Sequence, residues 1–224
     1  MSIDLIIFDC DGVLVDTETI TARILSAYLA ENGVEISPHE WERDYAGVNL
    51  AETVIRLTDT GFTPADDFVE TIRARILDTL SQGVEPIPGI HHVLNQLSIP
   101  YCVASSGKPV KIQQSLRLAG LLDQFEGRMF SAYNIGVYKP EPDLFLWAAD
   151  AMGVEPINTL VIEDSPVGVR AGISAGMIVA GYAGGGVTPN ADANAGRADD
   201  LRALGAHYIL SDLTHMMEIL NARH

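Results

Sequence analysis

The sequence predicts an α/β fold, a Rossmann-like doubly wound parallel sheet with an inserted all-helical cap domain. Three observations predict it. Short apolar runs recur at Leu5–Phe8, Tyr101–Ala104, Thr159–Ile162, Met177–Gly181 and Tyr208–Leu210, the pattern of strands buried on both faces of a parallel sheet. Helical patterns with recognisable start signals lie between them, and strand alternating with helix is the mark of the doubly wound class. The first run, however, is followed by nearly seventy residues of helical periodicity with no convincing strand.

Taken in order, Leu5–Phe8 reads as the first strand. Within the long helical stretch, Ser37-Pro38-His39-Glu40 is a capping box with proline at the first helical position, and Val69, Ile72, Ile76 and Leu80 repeat at helical spacing. Pro86 and Pro88-Gly89 mark the return of the alternation. The expected boundaries are therefore residues 1–16 and 86–224 for the α/β core and 17–85 for the insert. Pro109 is placed to open a helix after Ser105, and Ser165 with Pro166 reads as an N-cap and first helical residue. Gly-rich residues 183–189 form a loop, and the stretch from Leu201 to His224 reads as helix, strand and helix.

Of the 224 residues, 47% are hydrophobic, and a chain of this size buries roughly 70% of its unfolded surface without help from metal or disulfide. Thirty Asp and Glu against 14 Lys and Arg give a net charge of −16. That charge repels a nucleic-acid backbone and an anionic membrane surface, and removes both as partners. Two cysteines, Cys10 and Cys102, make no disulfide framework. The N-terminus has no basic segment, and no apolar run approaches about 18 residues. The expectation is a soluble cytoplasmic protein, a monomer or small homo-oligomer, whose partner is a small molecule. If that molecule is an anion, local cations must hold it.

The residues at the strand exits carry the chemistry. Asp9 and Asp11 stand two apart directly after the first run, on one side of the chain. Two carboxylates so close imply a shared proton or a metal cation, unless they merely form an aspartate turn with Gly12 at positive φ. Glu163-Asp164-Ser165 closes the third run in the same way. Parallel strands end on one sheet edge, so Asp9, Asp11, Glu163 and Asp164 would converge on a crevice suited to Mg²⁺; alternatively Asp164 only caps the following helix. Ser105-Ser106-Gly107-Lys108 ends the second run, where hydroxyls and backbone N–H groups can accept a phosphate, although such a run is also ordinary loop material. Lys139 lies in the proline-fixed stretch Lys139-Pro140-Glu141-Pro142-Asp143, either as a cation beside the carboxylates or as a surface residue.

In this order the four motifs resemble those of the haloacid dehalogenase-like hydrolase superfamily, in its branch of phosphatases and phosphoglucomutases with a helical cap after the first strand. The resemblance covers nearly the whole chain. It implies that Asp9 is the nucleophile, forming an aspartyl-phosphate, and that Asp11 is the general acid and then base. It implies Mg²⁺ held by Asp9, the Asp11 backbone carbonyl and Asp164, with Glu163 beside it or behind it. Ser105, Ser106 and Lys139 would take the phosphoryl oxygens, and Thr17, Glu18, Gly47, Val48 and Asn49 would face the leaving group from the cap.

The pattern also sorts the superfamily. Dehalogenases lack the second aspartate, so Asp11 points to phosphoryl transfer. The β-phosphoglucomutases carry a histidine in the first cap helix and an arginine after the cap Gly-Val, where this chain has Thr21 and Leu50. The expected activity is thus a phosphomonoesterase acting on a small phosphorylated sugar, sugar acid or polyol, and Gly47-Val48-Asn49-Leu50 is most similar to the 6-phosphogluconate phosphatase type. The alternatives are a phosphosugar mutase using the same intermediate and a non-catalytic sugar-phosphate sensor. Trp41 and Tyr45 are expected in the cap core more than in a pocket. Adjacent His91 and His92 point about 100° apart on a helix and make a poor metal pair. Cys10, between the aspartates, is turned away from them for packing.

Overall fold

The computed structural model describes residues 2–45, 50–185 and 191–222. Two compact units divide the chain. One ends at Asp16 and resumes at Glu85; the other is Thr17–Val84.

The first unit is built on a sheet of six parallel strands: β1 (Leu5–Phe8), β2 (Tyr101–Ser105), β3 (Met129–Ser131), β4 (Thr159–Glu163), β5 (Ile178–Tyr182) and β6 (Tyr208–Leu210), in the order β3-β2-β1-β4-β5-β6. This is the doubly wound order, whose ligand crevice opens at the carboxyl ends of the strands where the winding reverses. β1 lies at that reversal, paired with β2 on one side and β4 on the other, with Phe8 in register with Val103 and Ile162. The five sequence-read strands are present. The sixth, β3, escaped because three residues are too short to show any period.

Around the sheet run α5 (Ile90–Gln96), α6 (Pro109–Leu118), α7 (Ala132–Ile135), α8 (Asp143–Ala151), α9 (Pro166–Ser174), α10 (Ala191–Ala203) and α11 (Met216–Asn221). Alternation along β1 sends Leu5 and Ile7 into a cluster with Leu144, Phe145 and Ala148 of α8 and Val169 of α9. Phe8 points to the opposite face, where it meets the rings of Tyr101 and Phe125 edge-on. Each such side chain, fully buried, contributes about 1.5–3 kcal/mol. Start signals behave as expected: Pro109 opens α6, and the Ser165 hydroxyl accepts the Gly168 N–H ahead of Pro166. Where β5 runs past β6, His207 completes the pairing, its Nδ1 accepting the Val179 N–H and its own N–H donating to the Val179 carbonyl. The chain segments leaving and re-entering this unit lie side by side, joined by Asp16 N to Glu85 O and Ile87 N to Leu14 O.

The second unit is helical: α1 (Thr17–Glu31), α2 (Pro38–Tyr45), α3 (Leu50–Asp59) and α4 (Phe68–Gln82). Its core gathers Leu25, Tyr28, Leu29, Leu57, Phe68 and Ile72 with Trp41 and Tyr45, whose rings stack at 4.3 Å. Both aromatics are therefore packing residues. The capping box closes in both directions, Ser37 N to Glu40 Oε2 and Glu40 N to Ser37 Oγ. Among the described residues, no helix is long and apolar enough to cross a membrane.

Candidate active site

The turn after β1 is folded tightly on its own backbone. Asp9 N–H donates to the Ile162 carbonyl of β4, Gly12 N–H to Val15 O, and Leu14 and Val15 N–H both to Cys10 O. Gly12 takes φ +84°, and a Cβ there would also collide with the Asp164 carboxylate. Glycine at this place thus does two things. It makes the turn, and it lets a carboxylate from the end of β4 lie against the turn after β1.

Asp9 is buried, and Lys139 reaches it from the loop after β3, its Nζ 2.5 Å from Asp9 Oδ1. The same ammonium holds Glu163 Oε1 at 2.7 Å and the Ala104 carbonyl at 3.2 Å, and lies 4.8 Å from the centre of the Phe145 ring. Burial pushes the Asp9 carboxyl up to about 7; Lys139 opposes this, while Glu163 and Asp11 add to it. Burial likewise disfavours the Lys139 ammonium, but the Asp9 and Glu163 carboxylates outweigh it and hold its pKa above the usual value. Lys139 is therefore a buried, permanently charged residue and not a surface one.

Glu163 has both oxygens engaged. Oε1 is on Lys139, and Oε2 accepts from the N–H and hydroxyl of Ser165 at 2.8 and 2.9 Å. Its position fits a support for Lys139 rather than a direct metal ligand. Asp164 is not the cap of α9, since Ser165 takes that place.

The Asp11 side chain meets a residue the sequence reading passed over. Lys111 Nζ of α6 lies 2.9 and 2.8 Å from its two oxygens. A signal was present in plain counting. The chain has only three lysines, Lys108, Lys111 and Lys139, and its other eleven cations are arginines. All three lysines fall in the segments that follow β2 and β3.

Ser105 is buried at the end of β2, where its hydroxyl accepts the Gly107 N–H at 3.0 Å, and Ser106 is exposed beside it. Thr17 and Glu18 are the first residues of α1, in the helical unit; Thr17 is buried and its carbonyl accepts the Thr21 hydroxyl. Gly47, Val48 and Asn49 lie outside the described residues. His91 and His92 are exposed on α5. Cys10 and Cys102 are buried and unpaired, and burial raises both thiols, Cys102 to about 12.

Among the described residues, no group of three His, Cys, Asp or Glu side chains is placed to hold a metal. Mg²⁺ does not need one, since it is commonly bound by one or two carboxylates with water and substrate phosphate. Asp9, Asp164 and the Asp11 carbonyl offer only hard oxygens, and Gly12 leaves Asp164 room beside the turn. The residues present fit that ion.

A hydrolase is the class to which the relatives of this chain belong. The family model described as haloacid dehalogenase-like hydrolase matches residues 6–182, and the chain belongs to that family. It is 36% identical over 179 residues to the 6-phosphogluconate phosphatase of Escherichia coli (strain K12), covering 79% of this chain and 81% of that protein. Among solved structures, a conserved haloacid dehalogenase-like protein of unknown function from Agrobacterium tumefaciens matches at 31% identity and a TM-score of 0.92 over 99% of both chains. A family hydrolase from Deinococcus radiodurans with bound phosphate and sodium matches at 29% identity and a TM-score of 0.85, over 98% of this chain and 96% of that one.

Proposed function

We propose that the protein is a Mg²⁺-dependent phosphatase that hydrolyses a small phosphorylated sugar, sugar acid or polyol through a phosphoaspartate on Asp9. The observation that carries this reading is the pairing of two carboxylates with two different lysines: buried Asp9 with Lys139, and the more open Asp11 with Lys111. Two carboxylates in unlike surroundings suit two unlike tasks, one as nucleophile and one as acid and base. The 6-phosphogluconate phosphatase relative supports the substrate class, and the phosphate-bound relative supports a phosphate site.

An Asp9 oxygen attacks phosphorus while the bond to the leaving oxygen breaks, and Asp11 gives that oxygen its proton. Water then attacks the phosphoaspartate, Asp11 takes a proton from it, and inorganic phosphate leaves with the Asp9 carboxylate restored. Lys139, the Ser105 hydroxyl and the Ser106 N–H stabilise the charge on the phosphoryl oxygens. Asp9, Asp164 and the Asp11 carbonyl would hold Mg²⁺, which supplies charge neutralisation for an anionic nucleophile meeting an anionic ester. Thr17, Glu18, Gly47 and Asn49 would act from the helical unit as a cap that selects the leaving group and excludes water. With its cysteines buried and unpaired, the enzyme suits a reducing cytoplasm.

The test is phosphate release from a panel of sugar, sugar-acid and polyol phosphates with Mg²⁺, beside Asp9→Asn. Release that disappears in Asp9→Asn and on chelation is expected. Release that persists in Asp9→Asn removes the nucleophile, and isomer formation requiring a bisphosphate in place of release would establish a mutase.

A further inference from the structure

The two lysine–aspartate pairs of the site differ in how tightly they are closed. Lys139 is 3% exposed and locked between two carboxylates, whereas the Lys111 and Asp11 side chains are 35% and 21% exposed. A pair that open gains little over its hydrated parts. Another anion arriving from solvent can therefore take the ammonium from Asp11 at small cost, whereas taking Lys139 from its partners would leave two buried carboxylates uncompensated.

The position of Lys111 is also costly for the helix that bears it. It stands in the first turn of α6, a turn with no acidic residue, three positions after Lys108 at the N-cap. Cations are disfavoured at that end of a helix dipole. Lysine occurs at no position of the chain outside this edge and Lys139. Charge is thus placed here against local preference, beside the residue assigned to protonate the leaving oxygen. In the mechanism proposed above, Asp11 acts on the leaving oxygen, so its partner Lys111 stands on the leaving-group side, while Lys139, paired with the nucleophile, serves the phosphoryl group.

We infer that Lys111 recognises a carboxylate on the leaving group, so that phosphorylated sugar acids are the preferred substrates. This rests on the phosphatase reading given above. In the free enzyme Asp11 occupies the ammonium; when a sugar-acid phosphate binds, its carboxylate takes over Lys111 and Asp11 is released toward the leaving oxygen. Only ion-pair partners change, and no covalent bond is involved. A neutral sugar or polyol phosphate offers no such exchange and leaves Asp11 tied.

The decisive comparison uses two esters that differ only at C1, 6-phosphogluconate and sorbitol 6-phosphate, with kcat and KM measured for wild type, Lys111→Met and Lys111→Arg. Wild type is expected to favour the acid. Lys111→Met should lower the ratio of kcat/KM for acid over polyol by about tenfold, through a higher KM for the acid, as expected for loss of a charge-assisted contact, and through a kcat on the polyol that rises or holds once Asp11 is untied. Lys111→Arg should recover most of the ratio. An equal loss on both esters would make Lys111 a holder of Asp11 or of phosphate, and an unchanged ratio would remove it from recognition; either result overturns the inference. If wild type hydrolyses neither ester, the phosphatase reading is what has failed. Equilibrium binding of the two esters to wild type and Lys111→Met then decides the carboxylate preference on its own, equal affinities overturning it. Circular dichroism and thermal melting of the variants confirm that they are folded.

Discussion

The carboxylate of Glu163 fills the place where a side chain at Gly168 would have to stand. A Cβ built on Gly168 collides with that carboxylate, which is itself buried and bonded to Lys139 and Ser165. Glycine inside a helix costs up to about 1 kcal/mol against alanine, so α9 keeps Gly168 for the sake of the group beneath it. Gly168→Ala should therefore lower stability by about 1–3 kcal/mol, as overpacking does, and reduce phosphate release by loosening Lys139. Urea denaturation and steady-state rates measure both. A variant more stable than wild type would show that Glu163 has room to move.

Lys139 neutralises two buried carboxylates at once. Lys139→Met leaves Asp9 and Glu163 facing each other, a loss expected to cost about 3–5 kcal/mol at neutral pH and about 100- to 1,000-fold in kcat. Asp9, whose carboxyl burial already pushes up to about 7 against the opposing pull of Lys139, loses that pull in the variant. Protonation of Asp9 then relieves the repulsion, so the stability deficit should shrink as pH falls through its raised value. Adding Glu163→Gln should restore part of the stability at neutral pH and none of the activity. A double variant with recovered turnover would assign Lys139 a purely structural role.

Asp212, just past the carboxyl end of β6, gives a pH dependence of folding through a cap of its own. Its Oδ1 accepts the N–H and hydroxyl of Thr214 at 2.8 and 2.7 Å, and the hydroxyl first, then the backbone bond, holds its carboxyl below the usual value. A depressed carboxyl contributes stability above its unfolded value of about 3.9 and loses it as pH falls through the lower folded value. Asp212→Ala should cost about 0.5–1 kcal/mol at pH 7, a modest cap because the group is mostly solvated. The gap to wild type should close below about pH 4. Denaturation midpoints at pH 7 and pH 3 test this, and a gap that is constant with pH would mean the carboxylate charge plays no part.

What the sequence disclosed follows from the range of the forces involved. β1, β2, β4 and β5 are apolar over four or five residues because both faces of the sheet are covered, and that pattern is local. Ser37, Pro109 and Ser165 were legible because caps act within one turn. Lys139 was readable only as one of two possibilities, since its burial depends on Ala104, Phe145 and Glu163, which come from other elements. Lys111 was missed because nothing in Lys111-Ile112-Gln113 hints at Asp11, a hundred residues earlier. Glu163 could be placed near the site but not given its partners, because Ser165 was read as a helix start alone and Gly168 carries no local signal.

The confinement of lysine to one edge of the sheet has a practical reach. Amine-directed reagents, cross-linkers and coupling resins find no lysine anywhere else on the protein. Random amine attachment, which for most enzymes spreads over the exterior, would here be limited to the α-amino group, Lys108 and Lys111, and at the two lysines would crowd the proposed site, so a support for this protein is better chosen to grip its many carboxylates.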